Sequence, residues 1–204
     1  MIDAHDPSLG PDEMLIDTPR TLLRPFRMLD ADEAFAFYGD PRVMRYIGRG
    51  NAQIDLAQKH EAMIRRMRMS HANPDRSVLA IEERNSRKVI GHAGLIETAI
   101  DGASEVELVY LLRADMWDRG LATEVAKGLI KHARKHQGLG RLVAITHVEN
   151  KRSQRVLEKC DFVRTKRILH FDVAMDLFTL PITATRDNGE SLPLTTESMN
   201  SADN

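Results

Sequence analysis

The sequence predicts an α/β protein: a mixed, mostly antiparallel twisted sheet with helices on both faces. Three observations carry that prediction. Residues 77–83, 88–98 and 104–113 are β-patterned runs separated by the turn signals "RNSR" and "AIDGAS", which is how an antiparallel meander reads. A helix-patterned segment and the nearly all-apolar run "RLVAITH" (141–147) come directly after, and strands joined through a helix run parallel, by a right-handed crossover. The helical stretches carry apolar residues along one side, so each has a face to bury.

In chain order, "TLLRPF" (21–26) is the first strand, placed at a sheet edge by Pro25, which has no N–H to donate. Asp30 is the expected N-cap of a short helix with Ala34, Phe35, Phe37 and Tyr38 on its apolar side, stopped at Gly39 before Pro41. Residues 52–72 form a longer helix, with Leu56, Met63, Ile64 and Met67 on one side and Lys59, Arg65, Arg66 and Arg68 around the rest. The meander follows. The next helix buries Ala122, Val125, Ala126, Leu129, Ile130 and Ala133, and "GLG" (138–140) ends it. After "RLVAITH", residues 150–160 form another helix, and 162–180 supply one or two closing strands.

A chain of 204 residues suits one domain. It spans 17–182 by composition: residues 1–16 and 183–204 are polar, lack periodicity and are expected to be a flexible arm and tail. A net charge of -1 argues against direct nucleic-acid binding through bulk charge. The single cysteine, Cys160, cannot form an internal disulfide, which fits the cytoplasm, and no apolar run is long enough for a membrane span.

The segment "MWDRGLATEVAKGLIKHA" (116–133) joins a glycine turn to a helix. A helix start exposes N–H groups and partial positive charge, so this turn suits a diphosphate. It is not an ATP loop, because Lys127-Gly128 does not supply the Gly-Lys-Ser/Thr ending, and the dinucleotide G-x-G-x-x-G pattern also fails. On residue chemistry alone, a plain strand-to-helix turn remains an equal reading.

Three stretches together resemble the GNAT acetyltransferase superfamily. "ELVYLLRADMWDRGLATEVAKGLIKHA" is similar to its central motif, whose loop reads [QR]-x-x-G-x-[GA]; Trp117, Asp118, Arg119, Gly120, Leu121 and Ala122 take those places. Tryptophan at the first place is shared with one branch, the Rim-type ribosomal-protein N-terminal acetyltransferases. "NKRSQRVLEKCDF" (150–162) resembles that branch's N-x-x-S-x-x-[VL]-[LY]-E-K-x-G-F signature, with Asp161 where glycine is usual and a local difference in that turn expected. "TPRTLLRPFRMLDADEAF" is similar to the branch's opening strand.

The resemblance implies a central splayed parallel strand pair and acetyl-coenzyme A as acetyl donor. The diphosphate would rest on the loop from Trp117 through Asp118, Arg119, Gly120, Leu121 and Ala122 to Thr123, and the pantetheine arm would run beside Tyr110, Leu111 and Leu112. Asn150 and Ser153 would meet that arm, although Asn150 also reads as a plain N-cap and Ser153 as a first-turn serine. A backbone N–H at Tyr110 would face the thioester oxygen. Ser153 is the candidate acid for the departing thiolate, since the tyrosine many relatives use is here Leu157. Glu107 is the candidate base, with Glu105 two residues away on the same face as its competitor.

The expected reaction is acetyl transfer to a primary amine, a protein N-terminus first and a small-molecule amine second, with a homodimer as a candidate assembly. A non-catalytic acyl-coenzyme A sensor is the alternative from another class. No metal site is expected, because His132, His136 and His147 lack ligand spacing. His92 and Cys160 read as structural, and Tyr46 and Ile47 as groove-lining.

Overall fold

The computed structural model describes residues 16–47, 65, 68–135, 139–170 and 172–182. The expected tail, the arm up to residue 15 and most of the expected 52–72 helix lie outside the described residues; 68–72 are helical. The strands are β1 (Ile16–Asp17), β2 (Thr21–Arg24), β3 (Val78–Glu83), β4 (Val89–Ile100), β5 (Ala103–Leu112), β6 (Arg141–His147), β7 (Val163–His170) and β8 (Val173–Pro181). The helices are α1 (Ala31–Tyr38), α2 (Pro41–Met44), α3 (Leu121–Ala133) and α4 (Lys151–Glu158). One eight-stranded sheet runs β1-β2-β3-β4-β5-β6-β8-β7. Every neighbouring pair is antiparallel except β5 and β6, which are parallel.

The meander forms as expected, with a longer second hairpin. Asp101 and Gly102 take φ of +51° and +81°, the two-residue turn whose twist matches flanking strands. β4 and β5 therefore pair from Ile100↔Ala103 to Gly91↔Leu112. The edge placement of the first strand is corrected. β2 pairs with β1 on its outer side through Ile16↔Leu23 and Asp17↔Leu22, and Pro25 lies just past the last residue of β2. Ile16, assigned to the arm, is buried in the core.

The two faces carry separate cores. On one, Leu108 and Leu112 of β5 pack with Leu121, Val125, Ala126, Leu129 and Ile130 of α3 and Leu157 of α4. On the other, Leu111 of β5 packs with Phe37 of α1 and Val43 of α2. Burying a Leu, Ile or Val side chain stabilises by roughly 1.5–3 kcal/mol, so α3 is firmly seated. One position of its stripe is corrected: Leu121 is buried, while Ala122 is only partly buried and faces a cleft.

Candidate active site

The cleft begins where the parallel pair parts. β5 and β6 are in register at Glu107↔Val143 alone, and beyond that point their backbones no longer pair. The resulting cleft holds about 730 Å³. Tyr110, Leu111 and Leu112 line it from β5; Trp117, Asp118, Gly120, Leu121, Ala122 and Thr123 from the loop and first turn of α3; Asn150 and Ser153 from α4. Arg119, expected among them, is not on the wall. Its carbonyl instead accepts a hydrogen bond from Arg20 Nη1 at 2.9 Å on the β1–β2 side.

The loop is shaped to receive an anion. Asp118 and Gly120 both take left-handed backbone, with φ of +60° and +77°, a conformation that recurs where successive N–H groups line an anion-binding concavity. Gly120 caps α3 without a side chain, and the first helical bond runs from Glu124 N to Gly120 O at 3.1 Å. The N–H groups of Leu121, Ala122 and Thr123 thus lack intrahelical acceptors at the positive end of the helix dipole. The lining also includes six cations, Arg42, Arg45, Lys151, Arg152, Arg155 and Lys159, against two acids, Asp118 and Glu149. That imbalance favours a multiply charged anionic ligand.

Both sides of the loop are braced. Trp117 Nε1 donates to Leu112 O at 2.9 Å, tying the loop to the end of β5. Arg152 of α4 lies 5.0 Å above the Trp117 ring and pairs with Asp118 at 3.2 Å. From the other side, Glu124 accepts from Thr18 Oγ1 at 2.8 Å, Arg20 N at 2.7 Å and Arg20 Nε at 2.6 Å. Burial pushes the Glu124 carboxyl up, but those bonds outweigh it and hold the group below the usual range.

The two glutamates of β5 separate by environment. Glu105 is claimed by Arg141 Nε at 3.0 Å, and that hydrogen bond keeps its carboxyl below the ordinary value. Glu107 sits at the fork of the splayed strands. Burial pushes its carboxyl up to about 7, opposed by a hydrogen bond from the backbone N–H of Ile145 in β6. Glu107 does not line the cleft itself.

Asn150 N-caps α4, its Oδ1 accepting from Ser153 N at 3.2 Å. Leu157 is buried in the core. Asp161 takes φ of +64°, so the turn expected to differ keeps a glycine-like backbone, which aspartate tolerates better than most residues.

Sequence reasoning placed Tyr110 by its backbone and missed its side chain. The Tyr110 hydroxyl lies 2.8 Å from Ser153 Oγ and 3.1 Å from Ser153 O, across the cleft. Strand alternation carried a signal for this: Tyr110 is three residues from Glu107 and so points to the opposite face, where α4 packs. The Arg20–Glu124 brace was also missed, and no local pattern announces it.

Among the histidines, His92 Nδ1 lies 2.6 Å from the Tyr38 hydroxyl, His132 Nε2 2.9 Å from Asp75, and the His147 ring 5.0 Å from that of Tyr46. Tyr46 and Ile47 line the cleft as expected. Among the described residues no three His, Cys, Asp or Glu side chains are grouped to hold a metal, and no helix is long and apolar enough to cross a membrane.

The sequence profile of the acetyltransferase (GNAT) domain matches residues 20–163. The chain belongs to the GNAT acetyltransferase family; it is an N-acetyltransferase with acetyl-coenzyme A as donor. YoaA of Bacillus subtilis (strain 168), named an uncharacterized N-acetyltransferase, is 26% identical over 148 residues, covering 72% of this chain and 82% of its own. An acetyltransferase from Agrobacterium tumefaciens str. C58 superposes with a TM-score of 0.68 at 23% identity, over 84% of this chain and 96% of that one. RimL, a ribosomal L7/L12 alpha-N-protein acetyltransferase solved with coenzyme A, superposes with a TM-score of 0.67 at 12% identity, over 83% and 98%. At these identities the two structures show a shared fold.

Proposed function

We propose that the protein transfers the acetyl group of acetyl-coenzyme A by direct attack of a primary amine, and that the acceptor is a protein N-terminal α-amine. The observation that supports the reading is the position of Glu107 at the fork of the strands whose gap forms the cleft, where burial pushes its carboxyl up to about 7. The diphosphate rests on the amides of residues 118–123, and the pantetheine arm lies beside Tyr110, Leu111 and Leu112. Asn150 flanks the arm while it caps α4, and the Tyr110 N–H faces the thioester oxygen, where a donor stabilises the developing charge. Trp117 sets the loop against β5. The catalytic unit is the body from Ile16 in β1 to Ile182, both of which are buried in the core.

Attack requires a neutral amine. An α-amine with a pKa of ~8 loses its proton far more readily than a lysine at ~10.4, and Glu107, set back from the cleft wall, accepts that proton through water. The amine nitrogen bonds to the acetyl carbon, its proton passes to Glu107, and the C–S bond breaks with its electron pair on sulfur. Ser153 offers its hydroxyl to that sulfur.

The test is release of free coenzyme A thiol from acetyl-coenzyme A with a panel of amines. Peptides with open N-termini are expected to support release, and the same peptides blocked at the N-terminus but carrying lysine are not. Release with small amines alone would replace the acceptor class. Tight donor binding without release from any amine would make the protein an acyl-coenzyme A sensor.

A further inference from the structure

Two hydroxyls meet across the cleft on the face opposite Glu107. Tyr110 projects from β5 toward α4, its ring packed against the α3 core, and its hydroxyl reaches Ser153 Oγ at 2.8 Å. Ser153 is held a second way, through its own N–H to Asn150 Oδ1 at 3.2 Å. Backbone and side chain of this one serine are therefore fixed from two different elements, although a serine hydroxyl otherwise rotates freely. We propose that Tyr110 is a positioning residue for the leaving group: its phenol donates to Ser153 Oγ and turns the serine O–H toward the coenzyme sulfur. The proposal rests on the acetyl-transfer reading above.

The proposal commits to one direction for that bond, since either hydroxyl can donate across the 2.8 Å contact. The phenol can donate to Ser153 O at 3.1 Å or to the nearer Oγ at 2.8 Å; donation to Oγ is the arrangement that leaves the serine O–H free for the sulfur. Burial raises the phenol above its ordinary pKa, with the Ser153 hydrogen bond opposing, so Tyr110 keeps its proton. Full relay of that proton to sulfur would leave a buried phenolate, which burial disfavours. The serine therefore hydrogen-bonds the thiolate without giving up its proton. The thiolate carries away the electron pair of the broken C–S bond and takes a proton from water; Glu107 returns to water the proton it took from the amine. Attack from the Glu107 face and departure on the Tyr110–Ser153 face then occur on opposite sides of the sheet.

The test needs no knowledge of the acceptor. Coenzyme A is bound to the full chain, and ionisation of its thiol is followed by thiolate absorbance across pH, in wild type, Tyr110→Phe, Ser153→Ala and the double variant. The bound thiol is expected to titrate below the free thiol in wild type. Ser153→Ala should raise its midpoint by about one pH unit, the scale of a hydrogen bond to a charged atom. Tyr110→Phe, which keeps the ring in its packing, should raise it by roughly half as much with coenzyme affinity within about twofold. The double variant should be no different from Ser153→Ala. A thiol that titrates identically in wild type and Tyr110→Phe, or effects that simply add, would overturn the positioning role. Failure of wild type to bind coenzyme A would instead overturn the acetyl-transfer reading, and the proposal with it.

Discussion

Replacing Glu107 with glutamine should make the protein slower and more stable at once. An ionised carboxylate in the fork is a burden on the fold: burial lifts its pKa from 4.5 to about 7, with the Ile145 N–H only partly offsetting it. A native pKa above the unfolded value means that the folded chain binds more protons between these two pH values, so stability falls as pH rises through that window. The rise corresponds to about 3 kcal/mol, at ~1.4 kcal/mol per pH unit, fully felt above pH ~7 and absent below pH ~4.5. Glutamine is nearly isosteric, keeps an oxygen for the Ile145 N–H and carries no charge. Glu107→Gln should therefore match wild type near pH 4.5 and gain progressively toward pH 8, where roughly 3 kcal/mol is a rise of about 6–12 °C in Tm for a chain of this size. Loss of a general base should lower kcat by roughly 10²–10⁴ with little change in coenzyme affinity. Thermal melts at pH 5 and pH 8 and thiol-release rates across pH check both halves. An equal Tm difference at both pH values would refute the buried-charge argument, and an unchanged pH–rate profile would refute the base.

Gly120→Asp should weaken acetyl-coenzyme A binding by at least about tenfold, because it places a carboxylate where the diphosphate rests. The fold should survive, since a Cβ at Gly120 would meet only Arg20 Nη2, at 3.6 Å, and Asp118 already carries a left-handed aspartate in the same loop; calorimetric titration measures the loss and a melt checks the fold. Glu105→Gln should leave turnover within about threefold of wild type and its pH profile unchanged, because Arg141 already claims that carboxylate. Arg24→Ala should destabilise by about 3–5 kcal/mol in urea unfolding. Arg24 is buried and holds Asp30 at 2.7 and 2.9 Å and Glu82 at 2.8 Å. Its removal takes the buried cation from two buried carboxylates and leaves Asp30 with the Arg27 N–H and Glu82 with the exposed Arg87.

The parts of the fold that were legible have strong local periodicity. Alternation and short turn signals announced β3, β4 and β5, and the helix between two strands announced the parallel pair. β1 was missed because two residues cannot display a period. α2 was missed because Pro41 after Gly39 reads as a stop, whereas the structure uses it as the first helical residue after the Asp40 cap, whose side chain accepts from Arg42 N at 2.9 Å. Ala122 was counted in the buried stripe because helical spacing cannot distinguish a core from a cleft wall.

At the site, motif positions placed the loop residues on the cleft, but roles depended on distant partners. Alternation puts Glu105 and Glu107 on one face and cannot separate them. Arg141 on β6 and the fork at Glu107↔Val143 do, and both are set by tertiary register. The loop drew attention for Gly120, yet its neighbour Asp118 shares the left-handed backbone, a conformation that no spacing rule assigns to an aspartate.

The most direct measurement is a crystal structure of the chain with acetyl-coenzyme A bound. The diphosphate should lie within hydrogen-bond reach of the amides of residues 118–123, with the pantetheine arm between β5 and β6 and the thioester between Glu107 and Ser153. A coenzyme bound elsewhere, or strands closed against each other with the loop amides turned away from it, would contradict the account.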